Sequence, residues 1–303
     1  MASNVIVFGP TGNVASIAAI TAREQGAKVF LAMRDPKKSI SGLSEEAERQ
    51  GEYQRIQADL TVPDTVSSAV HQSGAKRAFI YVAHGSEDHM RSTAVALKDA
   101  GIEFVVFLGS FTVEDPHEVQ QDDPIAYVHA QVEISLEEVF GRENFVAIRP
   151  GGFVTNSLRW KKGILAGHLQ MYGTDFEIDC ITPEDMGRVC GNILVRGSEK
   201  HAVYLYGPQM ASHKEVAKSV ARALGNPDLS VEELDPEEAT KRMAGAGVPM
   251  SIIKWTIHRQ GRDNKEPVPR PHHLEGIDNI RRYTGRPAMA LDEWAQQNRA
   301  LFV

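Results

Sequence analysis

The chain has 303 residues, 42% of them hydrophobic, and a formal net charge of −7. It is long enough to bury a full core as one main domain with a smaller appended region. Acidic and basic residues alternate without forming a basic face for nucleic acid, and no apolar run is long enough to span a bilayer. Two cysteines, Cys180 and Cys190, are too few and too oddly placed for a disulfide framework; they read as small buried apolar residues. An apolar strand begins within four residues of the first, leaving no room for a signal peptide. The expectation is a soluble, cytoplasmic protein with no membrane or nucleic-acid partner; the sequence leaves its oligomeric state open.

Val5-Ile6-Val7-Phe8 makes a short buried strand over 4–8, followed by Gly9-Pro10-Thr11-Gly12-Asn13-Val14-Ala15 and a helical stretch over 13–25. Strand, glycine turn and helix in this order present backbone N–H groups to a pyrophosphate. Gly9 permits the tight turn, Gly12 lets the backbone approach the phosphates, and Ala15 takes the third glycine's place. A second strand over 28–33 ends at Arg34, with Lys37 and Lys38 close behind. An acidic residue at that strand end binds both ribose hydroxyls of NAD, whereas a basic one accommodates the 2′-phosphate of NADP. Arg34 as a fork and Lys38 as a point charge favour NADP(H), and Asp35 before Pro36 reads as a turn residue.

The third strand, 53–57, leads to Asp59 and Leu60, where Asp59 either meets the adenine amino group or caps the helix over 64–73. The fourth, 77–83, ends at Val82-Ala83-His84, where the backbone should approach the nicotinamide-side ribose. His84 to His89 matches no strong zinc pattern, so no metal is expected. A helix over 88–100, a strand over 103–109 ending at Ser110, a helix over 124–140 and a strand over 145–149 complete the alternation. The fold class is therefore α/β: a Rossmann-type doubly wound parallel sheet, occupying 1–152, with a smaller C-terminal substrate-binding region over 153–303. That second region is expected to interleave with the sheet's last strands. It reads as a turn at 171–175, helices over 185–195, 213–224 and 236–244, a short strand at Tyr204-Leu205-Tyr206, and a loop over 261–273.

Gly9-x-Thr11-Gly12 with Arg34, then Asp59-Leu60, His129-Ala130-Gln131-Val132-Glu133 and Arg149-Pro150-Gly151-Gly152-Phe153-x-Thr155-Asn156, resembles the NmrA-like branch of the atypical short-chain dehydrogenases/reductases. Ile181-Thr182-Pro183-Glu184-Asp185-Met186-Gly187 fits the same pattern, so the resemblance covers nearly the whole chain. It implies a Rossmann domain with a small C-terminal substrate domain, usually binding NADP. Members include quinone and alkaloid-imine reductases, plant ether and lactone reductases, and non-enzymatic redox sensors that regulate transcription. Phe153, Thr155 and Asn156 enter as cofactor-contacting residues through this resemblance.

The enzyme signature of short-chain reductases is Tyr-x-x-x-Lys on the helix after the fifth strand, with a Ser nearby. Here Tyr127 is followed four residues on by Gln131, and His129 by Glu133. The resemblance places His129 at the lysine position. Tyr127 and His129 cannot act side by side, since two residues on a helix are about 200° apart. The standard relay is absent. His129 is the candidate for holding the nicotinamide ribose or supplying a proton. Ser110 either bonds a substrate oxygen or begins a turn, and Tyr127 is more structural than catalytic. Trp160, Tyr172, Trp255 and His258 either line a pocket or pack the core.

The expected function is an NADPH-dependent reductase of a small apolar specialised metabolite, with hydride transfer to an iminium C=N, or to C=C or C=O. An iminium needs little acid catalysis, which suits the missing relay and points to alkaloid-type metabolism. The alternatives are a non-catalytic NADP(H)-sensing regulator and a redox-neutral cyclase or isomerase using the same pocket.

Overall fold

The computed structural model describes residues 3–261 and 269–303. In the first half the elements are β1 (Asn4–Phe8), α1 (Asn13–Glu24), β2 (Lys28–Met33), α2 (Glu45–Gln50), β3 (Gln54–Gln57) and α3 (Pro63–Ser73). They continue with β4 (Arg77–Tyr81), α4 (Arg91–Asp99), β5 (Phe104–Leu108), α5 (Pro124–Phe140) and β6 (Phe145–Pro150). The second half holds α6 (Lys161–Leu165), β7 (His168–Met171), β8 (Glu177–Ile178), α7 (Pro183–Arg196), β9 (Ala202–Leu205), β10 (Ala211–Ser212) and α8 (His213–Ala223). It closes with β11 (Ser230–Glu233), α9 (Pro236–Gly245), α10 (Met250–Gln260), α11 (His273–Thr284) and α12 (Leu291–Gln297). A 3₁₀ turn over Val154–Trp160 precedes α6.

Seven parallel strands form the central sheet in the order β3-β2-β1-β4-β5-β6-β9. The order reverses between β1 and β4, which opens a crevice at the carboxyl ends of the strands. The inner strands are largely apolar runs because both faces are covered, whereas the edge strand β3 buries only Ile56. Val5, Val7 and Phe79 face α1 and α7, while Ile6, Phe8 and Ile80 face the layer of α3, α4 and α5. α1 and α7 cross so closely that a methyl group on Gly187 or Gly191 would collide with the backbone of α1. α7 thus belongs to the sheet's core although it comes from the second half.

Local chemistry starts α5 and α8 at their expected residues and α7 two residues before the expected Asp185. Asp123 accepts from the Ala126 N–H at 2.9 Å ahead of Pro124, and Thr182 accepts from Asp185 ahead of Pro183. Ser212 and Glu215 form a reciprocal capping box on α8. A third core gathers Trp160, Trp294, Phe302 and Val216 below the C-terminal region. Cys180 and Cys190 are both fully buried in the apolar cores, and burial pushes the Cys180 thiol up to about 12. Among the described residues no helix is long and apolar enough to cross a membrane.

Several elements depart from the sequence reading. α2 was not expected: it buries none of its residues, so it carries no amphipathic signal, and the Ser44 cap alone marks it. β4 stops at Tyr81 rather than 83. β7 pairs with β11 and β8 with β10, short ladders joined across distant sequence. The seventh strand is Ala202–Leu205 rather than 204–206. Of the loop expected over 261–273, residues 262–268 lie outside the described residues, and His273 already begins α11.

Candidate active site

The glycine turn folds as a helix start without a side-chain cap. Gly9 sits at φ +65°, a left-handed value that favours glycine, and its carbonyl accepts from the Gly12 N–H at 2.9 Å. Gly12 is the N-cap of α1 and offers no side chain, so the first-turn N–H groups point outward uncapped. That is an anion-binding geometry.

A groove runs from this turn along the strand ends in two lobes. The first, about 280 Å³, is lined by Arg34, Asp59, Leu60, Val82, Ala83 and His84. The second, about 340 Å³, is lined by Gly12, Asn13, Val14, Phe153, Thr155 and Pro183. Gly9, Thr11 and Tyr81 line both. Phe153 then joins the second lobe to a larger cavity of about 430 Å³. The groove has the length, the cradle and the donors of a dinucleotide site.

At the first lobe, Arg34 is exposed, and among the described residues its guanidinium meets no carboxylate. Asp35 accepts from the Lys37 N–H at 3.0 Å, so it is the turn residue of this segment. Lys38 is exposed and does not line the groove; its carbonyl instead accepts from Arg55 at 2.9 Å, which holds the turn in another direction. Asp59 Oδ1 accepts from the Thr61 N–H and hydroxyl at 2.9 and 2.8 Å. Asp59 therefore secures a turn before α3 rather than capping it, and its side chain still faces the groove. Tyr81 was missed by the sequence reading. It is the last residue of β4, its ring covers Gly9, and burial raises its pKa, with Arg34 and Asp59 as opposing neighbours.

Ser110 and His129 line the large cavity together. Ser110 Oγ lies 2.9 Å from Thr112 Oγ1 and accepts from the Thr112 N–H, so it does begin a turn. The His129 Nδ1 is 2.8 Å from the Ile125 carbonyl. Nδ1 must donate to that oxygen, which leaves Nε2 as an acceptor. Burial, with His84 adding to it, holds the imidazole below its ordinary pKa. A neutral acceptor suits holding a hydroxyl and is a poor proton donor. Tyr127 points elsewhere: its hydroxyl accepts from Gln121 at 3.2 Å, and its ring meets His89 edge-on at 5.8 Å. Asn156 lines the large cavity and not the groove.

Glu133 and Arg149, both buried, form a two-pronged pair of 3.2 and 2.5 Å behind this site. Arg149 also donates to the Glu114 carbonyl and the Tyr204 hydroxyl. Asp179, fully buried, accepts from the N–H groups of Gly152 and Gly207 and faces Arg270 at 3.7 Å. These links tie the Gly151-Gly152 turn to the C-terminal region, and no sequence pattern marks Asp179 for the task.

α10 packs on α9 and α5, and its Trp255 and Arg259 line the cavity. Trp160 packs into the third core against His213 at 5.1 Å, and the Tyr172 hydroxyl donates to the Ile257 carbonyl at 2.8 Å, so both are structural. His258 is not among the lining side chains. His213, 3% exposed, is held between Trp160 and Phe176, and burial drives its pKa down to about 3. In the His84–His89 stretch, Asp88 accepts from the Ser92 N–H at 2.8 Å and serves the start of α4. Among the described residues no three His, Cys, Asp or Glu side chains gather as a metal site.

The NmrA-like family model matches residues 1–267. A nitrogen metabolite regulation-like protein, bik4, of Gibberella fujikuroi is 33% identical over 97% of this chain and 96% of its own. An NAD(P)H azoreductase of Xenophilus azovorans is 25% identical over 98% and 99%. Among solved structures, a Citrobacter sp. triphenylmethane reductase complexed with NADP(H) superposes with a TM-score of 0.70 at 15% identity, covering 97% of this chain and 99% of that one.

Proposed function

The chain belongs to the NmrA-like family, and from that premise we propose that it is an NADPH-dependent reductase of a small conjugated metabolite. The observation that carries this reading is the continuity of the groove: past Phe153 it opens into a cavity of about 430 Å³ lined by both His129 and Ser110. Bound NADPH would supply a hydride from nicotinamide C4 to an electrophilic carbon of the acceptor. Arg34 holds the 2′-phosphate, as a planar fork suits, and the uncapped start of α1 holds the pyrophosphate. Asp59 accepts from the adenine amino group. His129 Nε2 accepts from a ribose hydroxyl and fixes the ring, leaving the proton to come from Ser110 or from water.

The acceptor carbon lies in a conjugated C=C or C=O rather than an iminium. Among the described residues the charges lining the cavity are mostly positive, Arg159, Arg259 and Arg270 against the single carboxylate Glu177, and their sum would disfavour a cation. A second reading has its own support: the bik4 relative is a regulation-like protein, and Tyr127 is turned away from the cavity. On that reading the same groove senses the NADP(H) pool without turnover.

Incubation with NADPH and a panel of quinones, enones and imines separates the two by absorbance at 340 nm. Acceptor-dependent loss supports the reductase. Tight NADPH binding with no loss across the panel supports the sensor, and product change without NADPH loss supports redox-neutral chemistry.

A further inference from the structure

The charges in the large cavity are out of keeping with the chain that carries them. The protein is net −7, yet among the described residues this cavity is lined by Arg159, Arg259 and Arg270 against one carboxylate, Glu177. The two histidines there add nothing, since burial keeps both His129 and His213 neutral near pH 7. Arg270 is answered by Asp179 behind the wall at 3.7 Å. Arg159 and Arg259 are not answered: among the described residues neither is within ion-pair distance of a carboxylate.

Arg159 is the more telling of the two. It leaves the 3₁₀ turn over Val154–Trp160 with its guanidinium 5.1 Å from the Trp160 ring. It is open to the cavity yet surrounded by protein, and burial lowers its pKa with no carboxylate to offset it. Arg259, which lines the same cavity, lies 5.9 Å from the Trp255 ring. An arginine held against an aromatic face keeps its fork free for a planar oxyanion. Two cations lining one cavity lower the cost of bringing in an anion. Phe176 and Trp255 supply flat apolar walls beside them.

We infer that the cavity takes a planar, conjugated substrate bearing a carboxylate or comparable oxyanion, with Arg159 as the principal anion-binding residue and Arg259 as its helper. This deepens the reductase reading and rests on it for the word substrate, but not for the binding itself. The oxyanion meets the Arg159 and Arg259 forks, and the conjugated body lies against Phe176 and Trp255. Glu177 disfavours a second anionic group on the same molecule.

The test is calorimetric titration of NADP⁺-loaded protein with 2-naphthoate and with its neutral isostere 2-naphthamide. The carboxylate is expected to bind at least about 10-fold more tightly, in line with a charge-assisted hydrogen bond. Arg159→Gln should abolish that preference, and Arg159→Lys should keep part of it. Affinity for NADP⁺ should stay within about 2-fold in both. Equal affinities, no binding of naphthoate at millimolar concentration, or a preference that survives Arg159→Gln would each overturn the inference. Because no turnover is required, failure to reduce any acceptor leaves this result intact. If NADP⁺ itself does not bind, the reductase reading falls, and the naphthoate preference is measured on the free protein.

Discussion

The ring of Tyr81 stands over Gly9, so closely that a single methyl group at Gly9 would collide with it. Gly9 also holds φ +65°, a region that costs an L-residue about 1–2 kcal/mol. Both constraints meet where the two groove lobes join. Gly9→Ala should therefore lower NADPH affinity at least 10-fold by shifting the turn, with a smaller loss of Tm. Adding Tyr81→Ala removes the collision but not the backbone cost, so the double variant should recover part of the affinity. Fluorescence titration of the four proteins reads the coupling directly; additive losses would show that the two residues act separately.

Among the described residues Arg34 meets no carboxylate within ion-pair distance, and it lines the groove beside Asp59 and Tyr81 at the end of β2. Arg34→Ala should weaken NADPH by about 10- to 100-fold, the worth of a charge-assisted hydrogen bond. NADH, which lacks the phosphate, should change by less than about 3-fold. Equal weakening of both would remove Arg34 from the phosphate site.

The Glu133–Arg149 pair ties α5 to β6 beneath the cavity, with both side chains buried. Glu133→Gln keeps the shape and leaves a buried guanidinium without its counter-charge. Breaking a buried pair this way costs about 3–5 kcal/mol. Glu133→Leu with Arg149→Met should regain much of that loss. Urea unfolding of both variants checks the difference, and a Glu133→Gln protein of unchanged stability would contradict it.

His213 makes the fold sensitive to acid. Its folded pKa, about 3, is below the ordinary 6.5, so on acidification the unfolded chain takes up the proton first. Its contribution is complete above about pH 6.5 and fades as pH falls toward 3, by about 2 kcal/mol at pH 5. Tm measured from pH 7 to pH 5 should fall less steeply in His213→Phe, whose ring fits between Trp160 and Phe176. Parallel slopes in the two proteins would exclude the histidine as the cause.

The first half was legible in the sequence because its central strands are apolar and buried on both faces and alternate with helical stretches. β1 and β2 match their expected ranges, and Asp123-Pro124 places the start of α5. The second half is held by contacts between distant residues, such as Asp179 with Gly152 and Gly207, which leave no periodicity. At the site, helix rotation was enough to part Tyr127 from His129. It could not tell which arginines face a cavity, so Arg159 went unnoticed beside an Asn156 chosen by resemblance. Lys38 fell out because sequence nearness to Arg34 does not fix the direction of a side chain after a turn.

The most direct test of the account is the fate of the nicotinamide hydrogen. Protein is incubated without oxygen with NADPH carrying deuterium on one or the other face of C4, together with a panel of conjugated carbonyl and imine compounds. A groove that fixes the ribose at His129 and presents one face to the cavity predicts deuterium in the reduced product from one labelled form and none from the other. Tight NADPH binding with no deuterium in any product from either form would contradict the reductase and leave a protein that holds the cofactor without using it.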